Sequence, residues 1–296
     1  MGFVSLLNLQ RVTHLLLLFL GVLLVVVLVM INLMTSSYIF WWSTFVFMTI
    51  IFITINKEIV DCSSITNYFI IQEVLGLWFL VLVNSSTQFL VVSLKVGVAP
   101  LHFWVFSVLN SVGEWSLVWF LTFQKMPFFP VLLQVGSFLC FFILLVGVVI
   151  CYVQMFVSKS FKNLFILSST ESFSWILLLM ISSISGSLVL FLYYSFIMVF
   201  LIPLFFSNYI NFLTWEVAIV FMNIPFSMNF FIKILVLGQL VYYEYFLLLM
   251  ILFIMSLSIY SLGSLLVFLS VKNIKFSFWN VTPYFVFLPL MFMIMI

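Results

Sequence analysis

Long apolar runs, separated by short polar interruptions, set the pattern of this chain. The runs are about twenty residues long and do not alternate, as helical membrane spans require; barrel strands would be about ten residues long with a two-residue period. The pattern predicts about eleven transmembrane helices, near 13–34, 38–55, 64–84, 87–107, 115–134, 137–157, 162–182, 185–206, 216–239, 242–270 and 277–296. The loops between them are short, so the chain reads as one polytopic membrane domain embedded in a lipid bilayer. Composition agrees. The chain is 67% hydrophobic and 5% charged, against about 25% charged residues in a soluble domain. A net charge of +2 gives no reason to expect nucleic acid as a partner.

The first run is too long for a signal-peptide core and lacks a clear small-residue cleavage site, so no cleavable leader is expected. Cys62, Cys140 and Cys151 show no metal or redox spacing. Cys140 and Cys151 read as small apolar residues of one helix. The forty phenylalanines fit a T-rich coding strand, as in some organelle genomes.

Charge sorts by side. With eleven spans, the N-terminus shares a face with the loops near 56–63, 108–114, 158–161, 207–215 and 271–276. That face carries Arg11, Lys57, Lys159, Lys162, Lys272 and Lys275, and no loop of the other face carries Lys or Arg. Excess Lys and Arg in short loops marks the cytoplasmic side, or its mitochondrial equivalent, the matrix. The N-terminus is therefore expected on the positive side and the C-terminus on the other, which in a mitochondrial membrane would be the matrix and intermembrane sides.

Lys95, Lys125 and Lys233 are left over, and all three fall inside spans, as do Glu73 and Glu171. A lysine at the bilayer centre costs roughly 2.5–3.5 kcal/mol on insertion scales, so such residues are functional candidates by default. Glu216 and Glu244 lie at span ends, where solvation is easy, and Glu114 lies in a loop or at a helix start, near the favourable end of the dipole. At 1.5 Å per residue, Glu73 and Lys95 enter neighbouring antiparallel spans from opposite faces to a depth of roughly 12–14 Å. They are expected near one midplane, where each lowers the other's cost. A static ion pair that fixes helix register is the structural alternative.

Pro127 and Pro130 follow Lys125, so carbonyls upstream lose their donors. His102 lies beyond the break at Pro100 and reads either as a packing residue or as a relay in line with the lysines. Glu171 sits among the hydroxyls of S-S-T-E-S-F-S-W, which could hydrate it, and reads either as a relay or partner for a lysine or as a local structural residue. Burial disfavours the charged form of lysine, so a row of buried lysines can pass protons.

A larger pattern follows from the same positions. Two blocks of five spans, about 13–134 and about 137–270, each place a lysine and a helix-breaking proline in their fourth span: Lys95 with Pro100, and Pro225 with Lys233. An odd number of spans makes the copies inverted, which is an antiporter-like arrangement of five-helix repeats with broken helices. A final helix near 277–296 lies outside the two blocks.

K-V-G-V-A-P-L-H-F-W at Lys95–Trp104 and T-F-Q-K-M-P at Thr122–Pro127 resemble the subunit 2 family of mitochondrial NADH:ubiquinone oxidoreductase, respiratory complex I. That family carries K-L-G-x-A-P-F-H-F-W and T-W-Q-K-L-A-P at the same interval. I-P-F-S-M-N-F-F-I-K at Ile224–Lys233 is similar to its L-P-P-L-T-G-F-L-P-K. Lys162 through Trp175 is similar to R-K-I-L-A-Y-S-S-I-T-H-M-G-W, and N-Y-F-I-I-Q at Asn67–Gln72 to K-Y-F-L-T-Q. The short eleven-span form looks like the animal version, and the phenylalanine-rich wording resembles nematode members.

The resemblance implies an antiporter-like fold and a proton channel in the membrane arm of the complex, in the mitochondrial inner membrane, with the other membrane-arm subunits as partners. It implies no cofactor in this chain: NADH, FMN, iron–sulfur clusters and ubiquinone are bound by other subunits. By position, Lys95, Lys125 and Lys233 match the family's proton-path lysines, and Lys162 matches the arginine of the third motif. Two departures stand out. The family's second span carries a glutamate in W-V-G-L-E, whereas W-W-S-T-F-V-F here has none, and Glu73 is the candidate to fill that role. The histidine of T-H-M-G-W is Ser172 here, beside Glu171, and the glutamate after H-F-W-V-P is Ser107.

The reading that follows is a proton-translocating subunit whose path runs through Glu73, Lys95, His102, Lys125, Glu171 and Lys233. The alternatives are a free-standing cation/proton antiporter and a structural subunit with a decayed channel.

Overall fold

The computed structural model describes residues 2–57, 60–136, 139–158, 160–207 and 228–240, together with Phe253, Ser256, Leu257, Tyr260 and Gly263. Lys159, Glu216, Pro225, Glu244, Lys272, Lys275 and the final span 277–296 lie outside the described residues, as does most of 242–270. Among the described residues every regular element is helical.

The elements are α1 (Gly2–Met34), α2 (Tyr38–Asn56), α3 (Cys62–Val81), α4 (Ser85–Val96), α5 (Phe103–Leu109), α6 (Glu114–Leu121), α7 (Phe128–Val135), α8 (Leu139–Val157), α9 (Phe161–Ser182), α10 (Ile184–Ser207) and α11 (Met228–Leu240), with a 3-10 turn at Phe123–Lys125 between α6 and α7. Among the described residues six stretches are long and apolar enough to cross a membrane: Leu16–Met34, Tyr38–Asn56, Cys62–Val81, Trp115–Val135, Cys140–Val157 and Lys162–Met180.

The stretch 87–107, expected as one span, is two helices. α4 ends at Val96, Gly97 takes φ +75°, Ala99–Pro100 is a cis peptide, and α5 begins at Phe103. A φ of that sign is reached without steric cost only by glycine, so Gly97 directs the chain out of α4. Trp115–Val135 is also broken, at Thr122–Pro127, where helical bonding tightens to Lys125 N–H on the Thr122 carbonyl (3.1 Å) and Met126 N–H on the Phe123 carbonyl (3.3 Å).

Two compact units divide the chain. The first holds residues 1–96 and 107–136, the second 97–106 and 137–296. In the first unit α2 packs on α1 and α3, α3 on α4, and α7 on α4 and α1. Asn32 stands in the apolar α1, and its side-chain amide donates to the Pro127 carbonyl at 2.7 Å, while Gln134 Nε2 donates to the Asn32 carbonyl at 3.0 Å. This exchange fixes α1 against the mouth of α7.

In the second unit α9 packs against α8, α10 and α11. Gly147 on α8 lets the backbone at Ala99–Pro100 press against the helix: a Cβ there would overlap the Ala99 carbonyl and sit 2.8 Å from Pro100 N.

The extremes of hydropathy and burial are opposed. The most apolar span, Leu16–Met34, is 22% buried, whereas the much more polar Lys162–Met180 is 94% buried. In lipid there is no hydrophobic drive between helices, so polar and small groups turn inward and leucine faces the acyl chains. The serines and threonine of α9 return their protons to their own helix. Ser168, Ser169 and Thr170 bond the carbonyls of Phe165, Ile166 and Leu167, Ser172 that of Ser168, and Ser174 that of Glu171.

Candidate functional site

In the first unit Lys95 sits in the last turn of α4, 3% exposed. Its ammonium is thus at the helix C-terminus, where the backbone dipole favours a cation. Three residues of α3 face it. Gln72 Nε2 donates to the Lys95 carbonyl at 3.0 Å. Gly76 leaves room for the ammonium: a Cβ there would stand 3.3 Å from Lys95 Nζ and 3.3 Å from Trp42 Nε1. Glu73, between them in sequence and half-buried, acts on Lys95 electrostatically without touching it. From α2, Phe45 lies under the ammonium, 5.1 Å from Nζ to ring centroid, in cation–π range. Thr49 Oγ1 is 3.4 Å from Glu73 Oε1, but its proton is directed at the Val46 carbonyl, 2.7 Å away.

Lys125 is in the same unit, 2% exposed, at the end of the 3-10 turn between α6 and α7. Its neighbour Gln124 donates from Nε2 to Tyr68 Oη at 2.7 Å, which ties the turn to α3. Lys95 and Lys125 therefore share a device: each closes a helical segment whose continuation is interrupted.

The second unit solves the problem differently. Lys233 lies inside α11, fully buried, and its Nζ is 2.5 Å from Oε1 of Glu171, which is 1% exposed on α9. Among the described residues this is the one ion pair. The same carboxylate oxygen accepts from the Tyr152 hydroxyl on α8 and from Trp175 Nε1 at 3.1 Å. Lys233 Nζ also stands 5.4 Å from the Tyr152 ring centroid.

The hydroxyls expected to hydrate Glu171 give their protons to backbone carbonyls instead. Its donors come from an aromatic pair and a lysine.

His102, also in the second unit, is 0% exposed. Its Nε2 is 2.6 Å from Gln154 Oε1, and its ring stacks on Phe103 and meets Phe106 edge-on. Gln154 and Tyr152 are both on α8. The structure thus brings Glu171 to Lys233 and sets Glu73 in the neighbourhood of Lys95, and gives His102 a hydrogen-bonded, aromatic setting.

Four residues were not singled out from sequence: Tyr152, Trp175, Gln154 and Gly76. Trp175 had a signal, since it lies four positions after Glu171 and so on the same helix face. Tyr152, Gln154 and Gly76 are joined to their partners only by the packing of different helices.

Apolar spanning helices that enclose ionisable side chains define a multi-pass membrane protein. No family model matches the chain. It is 47% identical over 267 residues to NADH-ubiquinone oxidoreductase chain 2 of Caenorhabditis elegans, across 89% of this chain and 94% of that protein. It is likewise 47% identical over 251 residues to NADH-ubiquinone oxidoreductase chain 2 of Ascaris suum, across 85% of this chain and 84% of that one. The chain belongs to the NADH-ubiquinone oxidoreductase chain 2 family and is therefore one chain of an oxidoreductase complex.

Proposed function

We propose that this chain is a proton-translocating subunit of the membrane arm of complex I in the mitochondrial inner membrane, and that Glu73, Lys95, His102, Lys125, Glu171 and Lys233 carry its proton path. The observation that supports this most is the fully buried Lys233–Glu171 pair. A buried ion pair adds little stability over apolar packing of the same volume, because desolvating two charges offsets their attraction. The pair calls for a use other than holding the fold.

Quinone reduction in other subunits supplies the energy, and this chain needs no redox group of its own. A change of charge or hydration at one pair alters how tightly its lysine holds a proton, and the neighbouring lysine responds. Membership of a complex I subunit family favours this over a free-standing antiporter.

Replacing Lys125 with methionine removes one lysine of the path and leaves a side chain of similar length. Assembled complex carrying this variant should turn over NADH with a reduced proton-to-electron ratio, measured in sealed vesicles. An unchanged ratio would remove Lys125 from the path.

Orientation follows from the loop charges. The N-terminus and the loop around Ser158 should face the matrix, and the C-terminus the intermembrane space. A cysteine at Ser158 in intact mitoplasts should resist an impermeant maleimide and react only after the membrane is opened. Labelling of intact mitoplasts would reverse the assignment.

A further inference from the structure

Glu171 presents a single oxygen to two hydrogen-bond donors and an ammonium. Oε1 takes the Tyr152 hydroxyl, the Trp175 indole N–H at 3.1 Å and the Lys233 ammonium at 2.5 Å. The three are not alike. Tyr152 and Trp175 are neutral, both 0% exposed, and they brace one another, with Trp175 Nε1 3.4 Å from the Tyr152 hydroxyl. An indole only donates, and a phenol keeps its proton to about pH 10 in water. Lys233 alone among them carries a charge it can give up, and it comes from a separate helix.

We propose that Tyr152 and Trp175 are positioning residues that keep Glu171 a carboxylate throughout the cycle, so that Lys233, and not Glu171, is the group that gains and loses the proton. This rests on the proton-translocation reading. A carboxylate left alone in an apolar interior would take up a proton, since burial penalises the charged form. Hydrogen bonds to the charged form oppose this, and those made to an ion are about twice as strong as neutral ones. With two neutral donors fixed on Oε1, the carboxylate keeps its charge when the Lys233 ammonium passes a proton to water and becomes a neutral amine. The unchanged negative charge then draws the next proton to the same nitrogen.

Other titratable groups near this point have their own partners. On α8, Cys151 Sγ lies 3.6 Å from Thr170 Oγ1, and on α10 the Tyr194 hydroxyl donates to the Ser169 carbonyl at 3.3 Å. Tyr193 on α10 is the remaining titratable group described on the helices packed against α9 at this level.

The test uses assembled complex carrying Tyr152→Phe, Trp175→Phe or Glu171→Gln. It follows proton pumping against pH together with infrared difference spectra in the protonated-carboxyl region. Both aromatic variants should pump several-fold less than wild type, with the loss deepening as pH falls and the carboxylate protonates. A carboxyl signal absent from wild type should appear in both and vanish when Glu171→Gln is added.

A Glu171 carboxyl signal in the wild-type enzyme would overturn the proposal. So would wild-type pumping at every pH in Trp175→Phe, a variant that keeps a ring in place should Tyr152→Phe fail to assemble. Normal pumping by Glu171→Gln alone is a different result: it would end the proton-translocation reading of this site, and the proposal with it.

Discussion

Glu171→Leu and Lys233→Met, made singly, are each expected to destabilise the second unit by about 3–5 kcal/mol, because each leaves an uncompensated charge in the interior. The double variant removes both charges. It should recover most of that loss, so thermal unfolding of the assembled complex would show a cost for the double variant well below the sum of the two single costs. Pumping separates the roles. If the pair carries protons, all three variants fail to pump, including the double variant whose stability has returned. If the pair only fixes the register of α11 against α9, the double variant pumps as wild type does. Stability and pumping thus move together in the single variants and part company in the double one.

The contrast between the two units says how much was legible from sequence. The spans read near 38–55 and 162–182 became the helices Tyr38–Asn56 and Phe161–Ser182 because in lipid the backbone has no other way to satisfy its polar groups. The break after Lys95 was legible from Pro100, although its extent was not: Gly97 ends α4 three residues before the proline. All six candidate residues could be picked out as ionisable groups in apolar text.

Their partners were harder to see. Depth counting set Glu73 near Lys95 because both lie on adjacent antiparallel helices, where a one-dimensional count converts directly to height. It could not bring Glu171 to Lys233, about sixty residues apart on helices that are not consecutive, nor add Tyr152 from a third. Depth is written along the chain; azimuth around a helix and the choice of neighbours are set by packing. The hydroxyl-rich S-S-T-E-S-F-S-W misled for a related reason. Within a helix, serine and threonine reach the carbonyl three or four residues back more readily than a side chain beside them.

Glu73→Gln is expected to impair pumping strongly, and a glutamate returned to α2 at Phe45 is expected to restore part of it. Lys95→Met sets the floor of this series: assembly is retained and pumping is lost. The geometry chooses the position. Phe45 lies in the span where the family carries its acid and faces Lys95, with its ring 5.1 Å from Nζ and no exposure. A carboxylate there would stand beside the ammonium at a fully buried position, a drier place than the half-buried Glu73. The Lys95 charge would therefore be held more tightly than in wild type, and release would become the slow step.

Phe45→Glu alone, with Glu73 retained, sets two acids around one lysine and should trap the proton, with turnover below that of the compensated double variant. Removal of Phe45 also loses its stacking on Phe128, with ring centroids 4.7 Å apart, so Phe45→Gln with Glu73→Gln is the control for packing. Pumping that returns with glutamate and not with glutamine, and only while Lys95 is present, would establish that α2 and α3 are alternative sources of one charge. Equal activity in the glutamate and glutamine forms would mean that Lys95 works without an acid partner.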